Sequence, residues 1–179
     1  ARPFLVLATQ NPVEMEGTYP LPEAQRDRFL AQTTIGYPDH SAELEMLVDR
    51  DRLDPLESVR AVVEPADVAA ISAMVAGVHL APAVRGYLVG LVRATRTISG
   101  VSLGASPRAA LHLARAAKAS AAMEGRNFVI PDDVASLAVP VLAHRLLLAP
   151  AGSSAGKTTA RELIETLVQV SAKPRGESH

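Results

Sequence analysis

The chain has 179 residues, enough for one ordinary domain or two small ones with a sizeable core. Apolar residues at 48% and charged residues at 21% exclude disorder and the collagen-like or coiled-coil classes, and aromatic residues at only 3% favour helices of Ala and Leu over strands. The absence of cysteine excludes disulfides and thiolate metal sites, and a formal net charge of -1 gives no global attraction to nucleic acid or anionic membrane.

The first residues, Ala1 to Leu7, have neither an initiating Met nor the apolar core and cleavage site of a signal peptide, and read as the interior of a larger protein. Phe4 to Thr9 is a short apolar run cut off by Asn11-Pro12, the pattern of a strand buried on both faces. Pro12, Gly17, Pro20 and Pro22 keep the next segment irregular, and Glu23 to Ala31 then has the acid-first, apolar-spaced character of a helix. Thr33 to Tyr37 reads as a second strand, closed by Pro38-Asp39. Two strands separated by a loop and a helix make no stable sheet alone, so partner strands are expected upstream of Ala1, or from a second copy.

After Ser41 the pattern changes to helices divided by Pro, Gly and acidic caps. They are expected at Ala42 to Arg52, Ala66 to Val78, Pro82 to Ile98, Pro107 to Glu124, Pro131 to His144 and Thr158 to Val170. Ser106-Pro107 supplies an N-cap and a first-turn proline, and Pro131-Asp132-Asp133 places acids at the positive end of a helix dipole. Pro140 should kink or split its helix. The fold class is therefore mainly α: the end of an α/β core over residues 1–40, an all-helical unit over 41–172, and a loose polar tail over 173–179. No run is long enough to span a bilayer, and nothing argues for an oxidising compartment, so a cytoplasmic location is expected.

The segment Leu7-Ala8-Thr9-Gln10-Asn11-Pro12-Val13-Glu14-Met15-Glu16-Gly17-Thr18-Tyr19-Pro20-Leu21-Pro22-Glu23-Ala24-Gln25-Arg26-Asp27-Arg28-Phe29 closely resembles the most recognisable stretch of MoxR-type AAA+ ATPases, relatives of the magnesium chelatase motor subunit. Gly104-Ala105-Ser106-Pro107-Arg108-Ala109 resembles that family's second sensor, and Val129 to Leu146, with Ala143-His144-Arg145-Leu146, resembles its closing lid helices. The resemblance follows the family's order over nearly the whole chain and implies its carboxy-terminal half. The glycine loop that grips ATP and the acidic strand that holds Mg precede this point in the family.

By this resemblance Asn11 is the first sensor, placed to orient the attacking water or touch the γ-phosphate; without it, an Asn before Pro would simply end a strand in a turn. Arg28 is the arginine finger, acting in trans on a neighbouring subunit's ATP, with Arg26 the other candidate because it stands where an apolar residue is expected. A guanidinium suits the role because it stays charged and forks onto phosphate oxygens. Arg108 is the second sensor by the same resemblance; the residues alone leave an even choice between an ordinary surface arginine and an anion site, in which the second position of a helix combines free N–H groups, positive potential and a guanidinium. His112 and Arg115 follow at helical spacing and read as solvated or packed. The family implies ATP and Mg as cofactors, no metal ligand in this chain, a homo-oligomeric ring, expected to be a hexamer, and chaperone-like remodelling or metal insertion in client proteins. A fragment of this kind is not expected to hydrolyse ATP alone.

Two other features of the sequence suggest different chemistry. Ala151-Gly152-Ser153-Ser154-Ala155-Gly156-Lys157-Thr158 resembles a phosphate-binding loop, but Ala151 replaces the first glycine, Pro150 precedes it in place of a buried strand, and one helix follows where a sheet is required. The charge is unevenly spread: residues 39–67 carry nine acids and three bases, and residues 85–126 seven bases and one acid, Glu124. The alternative function is accordingly a helical binding module whose basic block, Arg85 to Arg126, contacts an acidic partner or nucleic acid. Under the leading reading no nucleic acid is involved.

Overall fold

A computed structural model describes residues 3–10, 21–50, 55–150 and 158–174. It is mainly helical, with a short α1 (Glu23–Arg26), then α2 (His40–Arg50), α3 (Pro55–Ser58), α4 (Pro65–Ala76), α5 (Pro82–Ala94), α6 (Pro107–Met123), α7 (Pro131–Leu142), a 3-10 turn (Ala143–Arg145) and α8 (Ala160–Val170). One antiparallel pair, β1 (Val101–Leu103) with β2 (Leu147–Leu148), sets Val101 against Leu148 and Leu103 against Leu147.

The core lies between α5, α6, α7 and α8. Along α6 the buried positions are Ala109, Leu113, Ala117 and Ala121, a strict four-residue spacing on one face. Three alanines in that stripe let α6 approach α7 closely, where Val134, Ala138, Val141 and Leu142 are buried. Leu88, Leu91 and Val92 of α5 and Ile164 and Leu167 of α8 close the remaining sides. Small residues pack densely without rings, which is how a chain so poor in aromatics still builds a core.

The helix starts follow from local chemistry. Thr159 caps α8 reciprocally with Glu162, whose N–H donates to Thr159 Oγ1 at 3.2 Å while the Thr159 N–H donates to Glu162 Oε2 at 2.7 Å. Asp133 does more at the start of α7 than complement a dipole. It is buried, accepts the Ile130 N–H at 2.8 Å, and is held bidentate by Arg126 at 2.8 and 2.6 Å. Burial pushes its carboxyl up, but the hydrogen bonds from Arg126, Ile130 and Ser120 outweigh this and its pKa is lowered. Asp132, by contrast, faces outward and pairs with Lys173, which anchors the start of the expected loose tail. Pro140 does not end α7, which runs two residues further before tightening into the 3-10 turn.

Three expectations need correction. Phe4 to Thr9 and Thr33 to Tyr37 are not strands: both are extended coil with exposed side chains, Phe4 at 83% and Ile35 at 94%. A strand needs a hydrogen-bonded neighbour and cover for its faces, and among the described residues neither segment meets one. The helix expected over Glu23 to Ala31 stops at Arg26, and the carbonyls of Asp27, Phe29 and Leu30 beyond it turn to a buried arginine, as described below. The remaining helices begin or end within about four residues of expectation, and the short α3 was not anticipated.

Gly104 sits where β1 turns toward α6. A Cβ there would lie 2.6 Å from Thr95 O and Arg96 Cα, both backbone atoms that cannot swing aside. Gly86, inside α5, has nothing within 4 Å of its would-be Cβ. Gly104→Ala is therefore expected to destabilise by about 1–3 kcal/mol through overpacking, while Gly86→Ala stabilises by about 0.5–1 kcal/mol through helix propensity. Urea unfolding of the two variants should give opposite shifts in midpoint; equal shifts would contradict the packing described.

Candidate functional site

The turn after α1 docks on the helical unit chiefly through one side chain. Arg145, in the 3-10 turn, is 1% exposed at its side chain. Its Nε donates to Asp27 Oδ1 at 3.1 Å, Nη2 reaches the Asp27 carbonyl at 3.3 Å and the Phe29 carbonyl, and Nη1 reaches the Leu30 carbonyl at 3.4 Å and the Val141 carbonyl. Nη2 also lies 2.6 Å from His112 Nδ1. The five N–H groups of one guanidinium thus face three carbonyls of the α1 turn, one carbonyl of α7 and a carboxylate, with an imidazole beside them. The Gln32 N–H adds a bond to the Pro140 carbonyl at 2.9 Å.

Asp27 is the other half of this contact. Besides Arg145 it accepts the Ser106 hydroxyl, 2.9 Å from each carboxylate oxygen, and its Oδ2 lies 3.9 Å from Arg108 Nη1. Ser106 does occupy the N-cap of α6, but its hydroxyl caps no helical N–H and goes to Asp27. The backbone just before it is fixed from behind. Buried Thr95 accepts the Ala105 N–H at 2.9 Å and Arg96 Nε donates to the Ala105 carbonyl at 2.9 Å. Beside these groups opens a cleft of about 640 Å³, lined by Glu23, Ala24 and Asp27 on the α1 side and by Arg96, Gly104, Ser106 and Arg145 on the other.

Arg108 stands at the second position of α6, half exposed, with its one described ion-pair partner in Asp27. Arg28, next to Asp27, is exposed, and among the described residues its guanidinium has no partner. Arg26 points the other way: it is half-buried, its Nε has no hydrogen-bond partner among the described residues, and its charge faces His144. The position that reads as apolar in sequence is thus turned inward, and Arg28 is the arginine left accessible. Asn11 and Lys157 lie outside the described residues.

The basic block is largely committed within the fold. Arg85 bonds the Leu80 carbonyl, Arg96 the Ala105 carbonyl, Lys118 the Ala76 carbonyl, Arg126 pairs with Asp133 and Arg108 with Asp27. Arg85, Arg96, Lys118 and Arg126 are thereby less available to a polyanion, while Arg108 is half exposed and its 3.9 Å contact stays open. Among the described residues no group of three or more His, Asp or Glu side chains could hold a metal, and no helix is long and apolar enough to cross a membrane.

The family models described as the AAA lid domain and as the ATPase family associated with various cellular activities match residues 93–167 and 1–31. The chain is 44% identical over 150 residues to the uncharacterized protein YeaC of Bacillus subtilis, covering 84% of this chain and 47% of that one. It is 41% identical over 155 residues to chaperone MoxR1 of Mycobacterium tuberculosis, covering 82% and 41%. The chain belongs to the MoxR-type AAA family. It also superposes with a TM-score of 0.88 and 38% identity on a crystal structure from Cytophaga hutchinsonii, provisionally described as an ATPase, covering 98% of this chain and 56% of the other. The chain thus spans about half the length of the curated relatives it matches. The mainly helical architecture agrees with the end of an AAA core followed by a helical lid. In the sequence Arg145 stands out only as part of the lid-like Ala143-His144-Arg145-Leu146 run. Its partner Asp27 is 118 residues away, and no local signal joins them.

The buried cluster is pH-sensitive. Burial, then the Arg145 charge, hold the His144 imidazole down to about 4, and the same two causes lower His112. Both groups bind fewer protons folded than unfolded, so stability is full above the unfolded value near 6.5 and is lost as pH falls toward 4. His144 alone corresponds to about 3 kcal/mol across that window. Urea unfolding between pH 7.5 and 4.5 should show this loss, and His144→Gln should remove much of it. A loss of the same size in the variant would rule His144 out as its source.

Proposed function

We propose that this chain is the carboxy-terminal end of an AAA+ nucleotide-binding core, residues 1–40, joined to its helical lid, residues 41–172, with 173–179 as tail. The parent protein would be an ATPase acting as a homo-oligomeric ring, a hexamer in the simplest case, that uses hydrolysis for chaperone-like remodelling or maturation of client proteins in the cytoplasm. ATP and Mg would be held chiefly by parts of the parent outside this chain, which alone would not hydrolyse ATP. The triphosphate supplies the anhydride bond to be cleaved; the residues here would orient it and stabilise its charge.

The observation that carries this reading is the placing of two arginines by one turn. Arg108 stands in the first turn of α6, where helix potential and guanidinium act together on an anion, which supports a second-sensor role in its own subunit. Arg28, exposed and without a described partner, is suited to reach a neighbouring subunit's γ-phosphate. Asn11 would orient the attacking water from the first-sensor position. The commitment of most basic-block donors to internal partners gives no support to the nucleic-acid-binding alternative.

In the full-length protein, Arg28→Ala should lower kcat about a thousandfold with ATP still bound, as expected for a charge that acts in the transition state. Arg108→Ala should weaken ATP binding by about tenfold, the loss of one charge-assisted contact. Steady-state hydrolysis and nucleotide titration separate the two effects. Unchanged turnover and affinity in both variants would overturn the assignment.

A further inference from the structure

Asp27 touches the helix that carries Arg108 and is joined by a peptide bond to Arg28. Its carboxylate takes the hydroxyl of Ser106 at the α6 N-cap, Nε of Arg145 beneath it, and Arg108 Nη1 at 3.9 Å. These three partners differ in what can compete with them. Arg145 is buried and Ser106 is half-buried, so both contacts are fixed by packing, while Arg108 is half exposed and its long contact is open to a stronger anion. A phosphate oxygen carries more charge than Asp27 can offer at that distance. We propose that Asp27 is a positioning residue that links the two arginines: it competes with bound triphosphate for Arg108, and loss of that pairing alters the turn that aims Arg28 at the neighbouring subunit.

This inference rests on the reading of Arg28 and Arg108 given above, but it makes a separate claim. A residue that merely stabilised the fold would, on substitution, weaken ATP binding or leave it alone. A competitor for Arg108 would, on losing its charge, make ATP bind more tightly. The pairing is exposed on one side, so the gain is modest, about two- to fivefold. At saturating ATP the triphosphate has already drawn Arg108 from Asp27 in the wild type, so kcat should move less than binding does, within about twofold.

The test uses Asp27→Asn, which keeps an oxygen to accept from Ser106 and Arg145 while removing the charge, in the full-length protein. Binding of a fluorescent ATP analogue with Mg and steady-state hydrolysis are measured in the wild type, D27N, R108A and the double variant. Tighter binding in D27N with kcat within about twofold, and no change in binding on adding D27N to R108A, is the expected result. If R108A weakens binding and D27N fails to tighten it, or tightens it equally without Arg108, the link is wrong while the sensor assignment stands. If R108A leaves binding unchanged, the sensor assignment itself has failed. Should D27N not fold, Ser106→Ala keeps the Asp27 charge and the Asp27–Arg145 pair while removing one donor from the carboxylate, which leaves Asp27 freer to pair with Arg108. ATP binding should then weaken by about two- to fivefold when Arg108 is present and not in R108A, and unchanged or tighter binding would overturn the proposal.

Discussion

A guanidinium cannot be neutralised and is costly to bury, so a position that buries one must surround it with acceptors. Arg145 meets this condition by drawing in the α1 turn: the carboxylate and carbonyl of Asp27 and the carbonyls of Phe29 and Leu30 become its ligands. Burial pushes its pKa down and Asp27 pulls it back up. The carbonyls it recruits lie just beyond the end of α1, so the interaction docks the segment at the point where the helix stops. The order of cause runs from one buried charge to the path of residues 27–32.

The rest of the site inherits its geometry from that docking. With Asp27 fixed, its carboxylate meets Ser106 and Arg108 at the start of α6, while Arg28 on the next residue is left facing outward. Thr95, Arg96 and the missing side chain of Gly104 hold the approach to α6 from the other side. The α6–α7 core underneath is small-residue packing that tolerates little change in volume. Charged residues here therefore act as joints between rigid helices, with stability supplied by the apolar core beneath them.

Much of this could be read in the amino-acid order. Helix periodicity, the Ser106-Pro107 start and the Pro131-Asp132-Asp133 start all depend on neighbours a few residues away, and the structure keeps them. Arg108 was legible for the same reason, since its position in a helix defines its surroundings. Asp27 and Arg145 were not, because their pairing spans most of the chain and each looks like an ordinary charged surface residue where it stands. The Phe4 to Thr9 and Thr33 to Tyr37 strands failed for a related reason. Apolar runs announce that something will cover them, and whether they become strands depends on a partner that a local pattern does not contain. In the case of Ser106 the position was right and the bond was not: an N-cap hydroxyl usually serves its own helix, and here a carboxylate from another segment takes it.

The most direct test of the central role of Arg145 is amide hydrogen exchange on the wild type and Arg145→Leu. Phe29 and Gln32, whose N–H groups bond the Arg26 and Pro140 carbonyls, report on the docked turn, and Leu113 and Ala117 report on α6. Loss of protection at Phe29 and Gln32, with Leu113 and Ala117 still protected, is the expected result. Retained protection at Gln32 would contradict a docking that depends on Arg145, and equal loss along α6 would show that Arg145 holds up the helical core instead.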